Sequence, residues 1–273
     1  MASILVNGQP ARTVDAADRG LMYGDGVFRT MVAREGRPLN WAHHYRLLAR
    51  DCACLELPCP AESLLLEEIA RVAPGASVAK VTVTRGASGR GYAWPADFEA
   101  TRIVAAWAGV PDFREEAQRG VQVRRCELAL AIQPRLAGVK SLNRLENVLA
   151  RAEWRDPAVR EGLLADAAGR LVEGTMSNVF FAAGGTLVTP ALGRCGVAGS
   201  QRERVLELAR AAGIACEVRD ASFEELERCD EVFLTNSVIG LWPVAAFGER
   251  RWEPGPLARR LQRLIEESDA RGA

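Results

Sequence analysis

Short runs of hydrophobic residues, separated by turn-forming residues, dominate the first half of the chain. Apolar positions that recur every three or four residues predict two amphipathic helices, at Trp41–Leu55 and Ala61–Val72. Runs of alternating or β-branched residues, bounded by turn signals such as Asn7-Gly8, predict four strands, at Ser3–Val6, Val27–Ala33, Ser77–Thr84 and Thr101–Ala108. This mixture predicts an α+β arrangement.

The second half shows longer helices between strands. Strands are predicted at Val121–Ala129, Gly162–Ala167, Arg170–Glu173, Asn178–Ala182, Thr186–Thr189 and Glu231–Thr235. Helices are predicted at Asn143–Trp154, Ser200–Ala212, Ser222–Arg228 and Pro256–Glu267, and the charged residues 268–273 are expected to fray. The pattern indicates an α/β arrangement.

The chain length of 273 residues favours two domains over one. Residues 111–120 are polar and have no apolar period, so they are the candidate linker. We therefore expect a smaller N-terminal α+β domain over residues 1–110 and a larger C-terminal α/β domain over residues 121–273, with no internal repeat.

Charge and composition narrow the class of partner. The chain carries 35 Lys+Arg and 35 Asp+Glu, and this balance argues against nucleic acid or an anionic membrane as the main partner. The longest apolar run, Ile103–Val110, is far shorter than the roughly 20 residues that span a bilayer, and the chain start has no basic stretch before an apolar core. We expect a cytoplasmic protein that acts on a small molecule.

Cysteine and histidine usage points to no metal and no disulfide framework. The seven cysteines show no CxxC spacing and the two histidines are adjacent.

Lysine is rare in this chain. Only Lys80 and Lys140 are lysine, and the other 33 basic residues are arginine. A lysine kept in such a composition is a candidate amine nucleophile, because only lysine readily loses its proton, although chance survival explains either one equally well. Lys140 stands in a short connection between a predicted strand and a predicted helix, where it could reach a cleft or be an ordinary exposed lysine.

Three other segments could carry chemistry. Glycines at 196 and 199 precede the predicted helix at Ser200, where backbone amides could bind a phosphate or simply start the helix. Glu173 ends a strand and could pair with a protonated ring nitrogen or be a solvated turn residue. Arg85 and Arg90 lie in a glycine-rich segment that could bind carboxylates or be a mobile surface loop.

Five stretches in this order resemble one family, the class IV (fold type IV) pyridoxal-phosphate enzymes. This family includes branched-chain and D-amino-acid aminotransferases and 4-amino-4-deoxychorismate lyases. The stretches are Asp18–Phe28, Lys140–Glu146, Glu173–Phe180, Arg194–Arg202 and Asp230–Val244. The resemblance covers nearly the whole chain and implies the two-domain architecture of the D-amino-acid aminotransferases.

The resemblance also implies roles for individual residues. Lys140 would bind pyridoxal 5'-phosphate covalently, and Glu173 would pair with the pyridine nitrogen of the cofactor. The cofactor phosphate would be held by Arg46, Gly199, Ser200, Gln201 and Ser237. A homodimer with its site near the subunit interface is likewise what the family implies.

Within the family, the stretches KSLNRLE, LARAEW and RGASGRGY look most like the lyases, and Leu145 stands where branched-chain aminotransferases usually carry tyrosine. Many relatives have glutamate where this chain has Arg29, so either Arg29 adds a cation for a dicarboxylate substrate or the segment has drifted. The expected substrate contacts are Arg29, Thr30, Arg85, Arg90 and Asn236.

The reaction implied is elimination of pyruvate from 4-amino-4-deoxychorismate to give 4-aminobenzoate, a folate precursor. A class IV aminotransferase acting on branched-chain or D-amino acids is the alternative, and it would use the same lysine, glutamate and phosphate contacts. A catalytically silent binding protein is a third interpretation, against which the joint presence of Lys140, Glu173 and Arg46 argues.

Overall fold

The computed structural model describes residues 2–272, which form two compact units. The first unit contains the chain up to Pro111 together with the segment Val139–Asn143. The second contains Asp112–Gly138 and Arg144–Arg271. Both units mix helices and strands, as the alternating sequence pattern predicted.

The first unit is a six-stranded antiparallel sheet with helices on one face. Its strands are β1 (Ser3–Val6), β2 (Gln9–Pro10), β3 (Gly26–Arg34), β4 (Arg37–Pro38), β5 (Ser77–Thr84) and β6 (Thr101–Ala108), in the spatial order β2-β1-β6-β5-β3-β4. Its helices are α1 (Arg19–Tyr23), α2 (Trp41–Cys54) and α3 (Glu62–Val72).

Side-chain alternation along β3 separates the two faces of this sheet. Val27 and Met31 are fully buried and pack with Leu48 of α2 and Ile69 of α3. Residues of opposite parity on β3 point to the other face, because successive strand side chains alternate. Lys80 and Lys140 lie on that second face, against Phe28.

The second unit is built on a nine-stranded mixed sheet. Its strands are β7 (Val121–Leu130), β8 (Val159–Asp166), β9 (Leu171–Gly174), β10 (Asn178–Ala183), β11 (Thr186–Pro190), β12 (Cys216–Arg219), β13 (Glu231–Asn236), β14 (Gly240–Phe247) and β15 (Arg250–Arg251). The spatial order is β12-β11-β10-β13-β14-β7-β8-β9, and β15 pairs with β14. The pairs β7·β8, β7·β14 and β11·β12 are parallel.

Five α-helices accompany this sheet within the described residues. They are α4 (Arg114–Arg119), α5 (Leu145–Arg151), α6 (Ser200–Ala211), α7 (Phe223–Arg228) and α8 (Pro256–Gly272). Helices α6 and α8 pack on the stacked rings of Phe180 and Phe233, whose centroids are 5.2 Å apart. No helix within residues 2–272 is both long enough and apolar enough to cross a membrane.

Most predicted elements are present with shifted ends. The predicted helix Asn143–Trp154 is shorter, at Leu145–Arg151, while the last helix continues to Gly272, so the expected frayed end is wrong for 268–272, and Ala273 lies outside the described residues. Strand β14 was not predicted, because Pro243 in its middle argues against a strand.

The predicted domain division needs two corrections. The candidate linker, residues 111–120, contains α4, and from Asp112 it belongs to the second unit, as part of the segment Asp112–Gly138. Lys140, expected in the larger C-terminal domain, lies instead in the first unit. The cause is local packing: Val139 is buried in the core of the first unit, and Ser141 forms a bridge to Val27.

Candidate active site

Lys140 is held by an extended segment that pairs with the start of β3. The backbone N–H of Phe28 donates to the Lys140 carbonyl at 3.0 Å, and the Leu142 N–H donates to the Gly26 carbonyl at 2.9 Å. A Cβ on Gly26 would lie 2.8 Å from Leu142 Cδ1, so glycine is required for this approach. The glycine-rich Gly24-Asp25-Gly26 sequence therefore makes room for the lysine segment.

A buried carboxylate fixes the backbone of the lysine itself. Asp51, on α2, is fully buried and accepts the Lys140 N–H at 3.0 Å through Oδ2. The same carboxylate forms a buried ion pair with Arg29 of β3. Asp51 thus ties the lysine segment to both a helix and a strand.

This pairing bears on the expected role of Arg29. The Arg29 side chain is 2% exposed and faces the helices, where it pairs with Asp51 and also donates to the Leu47 carbonyl at 3.4 Å. A guanidinium paired with a buried carboxylate is less available to a substrate carboxylate. Arg29 therefore has a structural role in the first unit, and its contact with substrate stays a prediction.

Both lysines of the chain lie against one aromatic ring. The Nζ atoms of Lys140 and Lys80 are 4.7 and 4.5 Å from the centroid of the Phe28 ring. Thr30, two residues along β3 from Phe28, is paired in register with Lys80 of β5. Burial lowers the pKa of Lys80. Lys140, Lys80, Phe28 and Thr30 therefore share the sheet face away from the helices.

A neutral histidine lies on the opposite side of this arrangement. His44 of α2 is buried, and its pKa is lowered to about 3, first by loss of solvent and then by the positive charges of Arg29, His43 and Lys140. His44 is uncharged at neutral pH, so it does not add a charge beside the buried Arg29–Asp51 pair.

Arg46, the expected phosphate contact of the first unit, lies on α2 five residues before Asp51. Its side chain is exposed, in contrast to those of Leu47 and Leu48, which pack into the core. The helix therefore presents the Arg46 guanidinium at the surface of its unit.

The two arginines of the glycine-rich loop have different environments. Arg85 is 2% exposed, forms two hydrogen bonds to Asp25, at 2.8 and 3.2 Å, and donates to the carbonyls of Leu55 and Glu56. Its guanidinium also stacks 3.9 Å from the centroid of the Trp94 ring. Arg85 is a buried residue with a carboxylate partner, and its contact with substrate stays a prediction, whereas Arg90 is exposed.

In the second unit, Glu173 lies on β9 and is 3% exposed. One carboxylate oxygen, Oε2, accepts the backbone N–H of Val197 at 2.8 Å. Val197 belongs to a loop shaped by Gly196, which has a φ of +84° and would meet Val172 and Leu192 if it carried a Cβ. The glutamate and the loop before α6 are thereby held together.

Asn178 links this loop to the start of helix α6. Its amide donates to the Val197 carbonyl at 2.8 Å, and its Oδ1 accepts the Gly199 N–H at 3.1 Å. Ser200 and Gln201 begin the helix and are each 4% exposed. The Nε2 of Gln201 is buried with no hydrogen-bond partner among the described residues. An unpaired donor at a helix N-terminus matches an anionic ligand.

The turn between β13 and β14 contains the last two predicted contacts. The Oδ1 of Asn236 accepts the N–H groups of Val238 and Ile239, and its amide donates to the Met176 carbonyl at 3.1 Å. These three bonds shape the turn. They leave one amide hydrogen of Asn236 for a ligand. Ser237 follows in the same turn and is half-buried.

Three residues that position this chemistry were missed by sequence reasoning: Asp51, Lys80 as a neighbour of Lys140, and Asn178. The signal for Asp51 was a charged residue in the apolar stripe of a predicted helix, next to Leu48 and Cys52. For Asn178 no comparable signal exists, because its partners are 19 and 21 residues away.

Comparisons with known proteins support the resemblance drawn from the motifs. Residues 26–247 match the family described as amino-transferase class IV. The chain is 33% identical to an aminodeoxychorismate lyase of Vibrio harveyi, over 94% of this chain and 97% of that protein. It is 27% identical to a D-alanine aminotransferase of Listeria monocytogenes, over 93% and 91% of the two chains.

A solved lyase structure has a fold similar to that of this chain. The crystal structure of 4-amino-4-deoxychorismate lyase from Pseudomonas aeruginosa matches with a TM-score of 0.91 and 44% sequence identity, covering 97% of this chain and 98% of that one. The prediction of a two-unit, fold type IV architecture is confirmed.

Proposed function

This chain belongs to the class IV amino-transferase family, and from that membership we propose that it is a pyridoxal-phosphate lyase that releases pyruvate from 4-amino-4-deoxychorismate to give 4-aminobenzoate. The identity to lyases, 33% and 44% over nearly full-length chains, exceeds the 27% identity to the aminotransferase described above.

The residues present fit the cofactor. The buried Nε2 of Gln201, which has no hydrogen-bond partner among the described residues, lies at the N-terminus of α6 and matches a phosphate bound at that helix end. Lys140 would bind the cofactor covalently, and Glu173 would hold the proton of its ring nitrogen. The phosphate contacts would be Arg46, Gly199, Ser200, Gln201 and Ser237.

When bound, pyridoxal phosphate supplies an electron sink next to the amine of the substrate. Lys140 would be the base whose Nζ takes the proton from the amine-bearing carbon of the substrate. The buried carboxylate of Glu173, held in position by a hydrogen bond from Val197, would pair with the ring nitrogen of the cofactor and favour its protonated form. Thr30, which shares a sheet face with Lys140, is the candidate for assisting proton delivery.

The substrate has two carboxylates, and we propose that the more accessible cations Lys80 and Arg90 meet them in preference to the buried Arg29 and Arg85. The observation that carries this proposal is the placement of both lysines of the chain against Phe28. One amine serves the cofactor, while the second offers a cation on the same face. Arg90 adds an exposed guanidinium for the other carboxylate, and Asn236 could donate its remaining amide hydrogen.

A single-substrate assay tests this function. Purified protein with 4-amino-4-deoxychorismate alone should release 4-aminobenzoate and pyruvate over many turnovers, because the elimination needs no amino acceptor. If the protein stops after one turnover and instead transfers amino groups from leucine or D-alanine to a keto acid, it is an aminotransferase.

A homodimer is part of the proposal. Helix α5 exposes three apolar side chains at helical spacing, Leu145, Val148 and Leu149, which are 75%, 60% and 59% exposed. An apolar stripe of this kind is typical of a surface covered by another protein surface. Light scattering on the purified protein should give about twice the chain mass of 29.6 kDa.

A further inference from the structure

The loop that connects β5 to β6, residues 85–100, is closed at its base and exposed along its length. A Cβ on Gly86 would lie 1.8 Å from the Glu99 carbonyl oxygen, so the two ends of the loop meet at a glycine. Residues 89–97 are all exposed. Because these residues bury little apolar surface of their own, the conformation of the loop depends on polar contacts to the rest of the unit.

Those contacts converge on one buried guanidinium. Arg19, at the start of α1, is 3% exposed. Its Nη1 donates to the carbonyls of Gly91 at 2.9 Å and Ala93 at 3.5 Å, and its Nη2 donates to the Tyr92 carbonyl at 2.9 Å. Three successive backbone carbonyls of the exposed loop therefore accept hydrogen bonds from a single side chain.

The side chain of Arg19 is itself held in place by Asp25. Its Nε donates to Asp25 Oδ2 at 2.9 Å, and the same oxygen accepts from Arg85 Nε at 2.8 Å. Burial raises the pKa of Asp25, but the hydrogen bonds and positive charges of Arg85 and Arg19 together outweigh it, so the pKa is lowered and the carboxylate stays charged. Tyr23, one turn along α1, accepts the Gly91 N–H at 3.1 Å through its hydroxyl.

We propose that Arg19 is a positioning residue of the active site, which holds the 85–100 loop so that Arg90 meets a substrate carboxylate. Arg19 is assigned no contact with substrate or cofactor, and it acts through the loop on both sides of Arg90: the Ser88 hydroxyl, which accepts from its Nη1 at 3.3 Å, and the carbonyls of residues 91–93. This inference rests on the proposed function, since it takes Arg90 as a contact of the dicarboxylate substrate.

The geometry requires arginine at position 19. A planar fork can direct one N–H to Asp25 and others to three carbonyls, whereas the ammonium of lysine offers three hydrogens from one atom. In Arg19→Lys the loop should lose its fixed conformation, while the charge next to Asp25 remains.

Steady-state kinetics with 4-amino-4-deoxychorismate test the proposal through a double-mutant cycle. Arg19→Lys should raise KM about tenfold with kcat within about threefold of wild type, because substrate capture is impaired and the cofactor chemistry is not. The double variant Arg19→Lys/Arg90→Ala should be no worse than Arg90→Ala alone. A KM within twofold of wild type for Arg19→Lys, or fully additive effects in the double variant, would overturn the proposal.

Trypsin provides a readout of the loop that does not depend on activity. Cleavage after Arg90 should be several-fold faster in Arg19→Lys than in wild type, with cleavage elsewhere unchanged. Arg102→Lys is the control, because it breaks a different arginine–carboxylate pair of the same unit, two bonds to Glu68 at 2.7 and 2.8 Å, without touching the loop. Equal cleavage after Arg90 in wild type and Arg19→Lys contradicts the anchoring role.

Two further outcomes are distinguishable. If wild-type protein does not turn over the substrate, the proposed function fails, and the trypsin experiment still decides whether Arg19 anchors the loop. If Arg19→Lys does not fold, Arg19→Gln takes its place, because a neutral amide cannot reach Asp25 and the three loop carbonyls at once. An unchanged KM together with unchanged cleavage after Arg90 in that variant would overturn the proposal.

Discussion

At the residue scale, buried charge separates structural residues from those available for chemistry. Arg29 and Arg85 each pair with a carboxylate in the first unit, at Asp51 and Asp25, and both side chains are 2% exposed. Breaking such a pair leaves a buried charge without its partner and lowers the stability of the fold. Both arginines therefore stabilise the first unit. Lys140 and Lys80 instead lie over an aromatic face.

The identity of the cofactor lysine is the first prediction. Lys140→Ala should abolish the visible absorbance of the protein reconstituted with pyridoxal phosphate, because that band requires a covalent bond to the lysine amine. Lys80→Arg should retain it, since arginine preserves the charge and the contact with Phe28. An absorbance spectrum of each variant decides the matter; a band that survives Lys140→Ala and vanishes in Lys80→Arg would reverse the assignment.

The role of Glu173 gives a second prediction. Glu173→Gln should keep most of the bound cofactor and lose at least about a hundredfold in kcat, because an amide cannot keep the ring nitrogen protonated. Cofactor content is measured by absorbance and turnover by 4-aminobenzoate release. Turnover near that of wild type would mean that Glu173 serves only to hold the Val197 loop.

The buried histidine gives a prediction about pH. His44 has a pKa of about 3 in the folded protein against an ordinary value of 6.5, so between these values only the unfolded chain binds the proton. The free energy of unfolding should therefore fall as the pH drops below about 6.5, by at most about 1.4 kcal/mol per pH unit from this group. Urea unfolding at pH 7 and pH 5.5 should show a loss of about 1 kcal/mol that His44→Gln removes.

His43→Gln is the control for that experiment, because it changes the neighbouring imidazole and leaves His44 in place. A pH dependence that is the same in wild type and His44→Gln would exclude His44 as its source.

At the element scale, the close approach of β3 and the lysine segment depends on glycine. A Cβ on Gly26 would lie 2.6 Å from the Val83 carbonyl oxygen and 2.8 Å from Leu142 Cδ1. Strand β3 can therefore pair with β5 on one side and receive residues 139–143 near its start only if position 26 has no side chain.

Gly26→Ala should consequently destabilise the fold by about 1–3 kcal/mol and weaken cofactor binding, because overpacking displaces Leu142 and with it the lysine segment. Gly75→Ala is the control, since a Cβ there would meet nothing within 4 Å. Urea midpoints and cofactor titration measure the two effects. Equal behaviour of the two alanine variants would contradict this account.

At the scale of the whole molecule, the exposed stripe on α5 predicts the oligomeric state. Leu149→Arg should convert the dimer to a monomer of about 29.6 kDa by light scattering, with an unchanged circular dichroism spectrum, because a charge at a covered apolar surface is unpaired. Val218→Arg, which replaces another exposed apolar residue of the second unit, should remain dimeric. A Leu149→Arg protein that stays dimeric would exclude α5 from the interface.

The sequence by itself determined the elements, the family and the candidate lysine. Periodicity located strands such as β3 and β5 and helices such as α2 and α6 within a few residues, because both are set by side chains close together along the chain. The scarcity of lysine left two candidates, Lys80 and Lys140, and the motif around Lys140 selected one of them.

Only the tertiary structure decided which charges are buried and which unit holds Lys140. Arg29 and Asp51 are 22 residues apart, and Lys140 and Asp51 are 89 apart, so no local pattern joins them. The burial of Arg29 and Arg85 was not predicted for the same reason. From the sequence alone, an arginine in a strand or a glycine-rich loop is easily taken for a substrate-binding residue. Its carboxylate partner is distant along the chain, so only the three-dimensional structure identifies that partner.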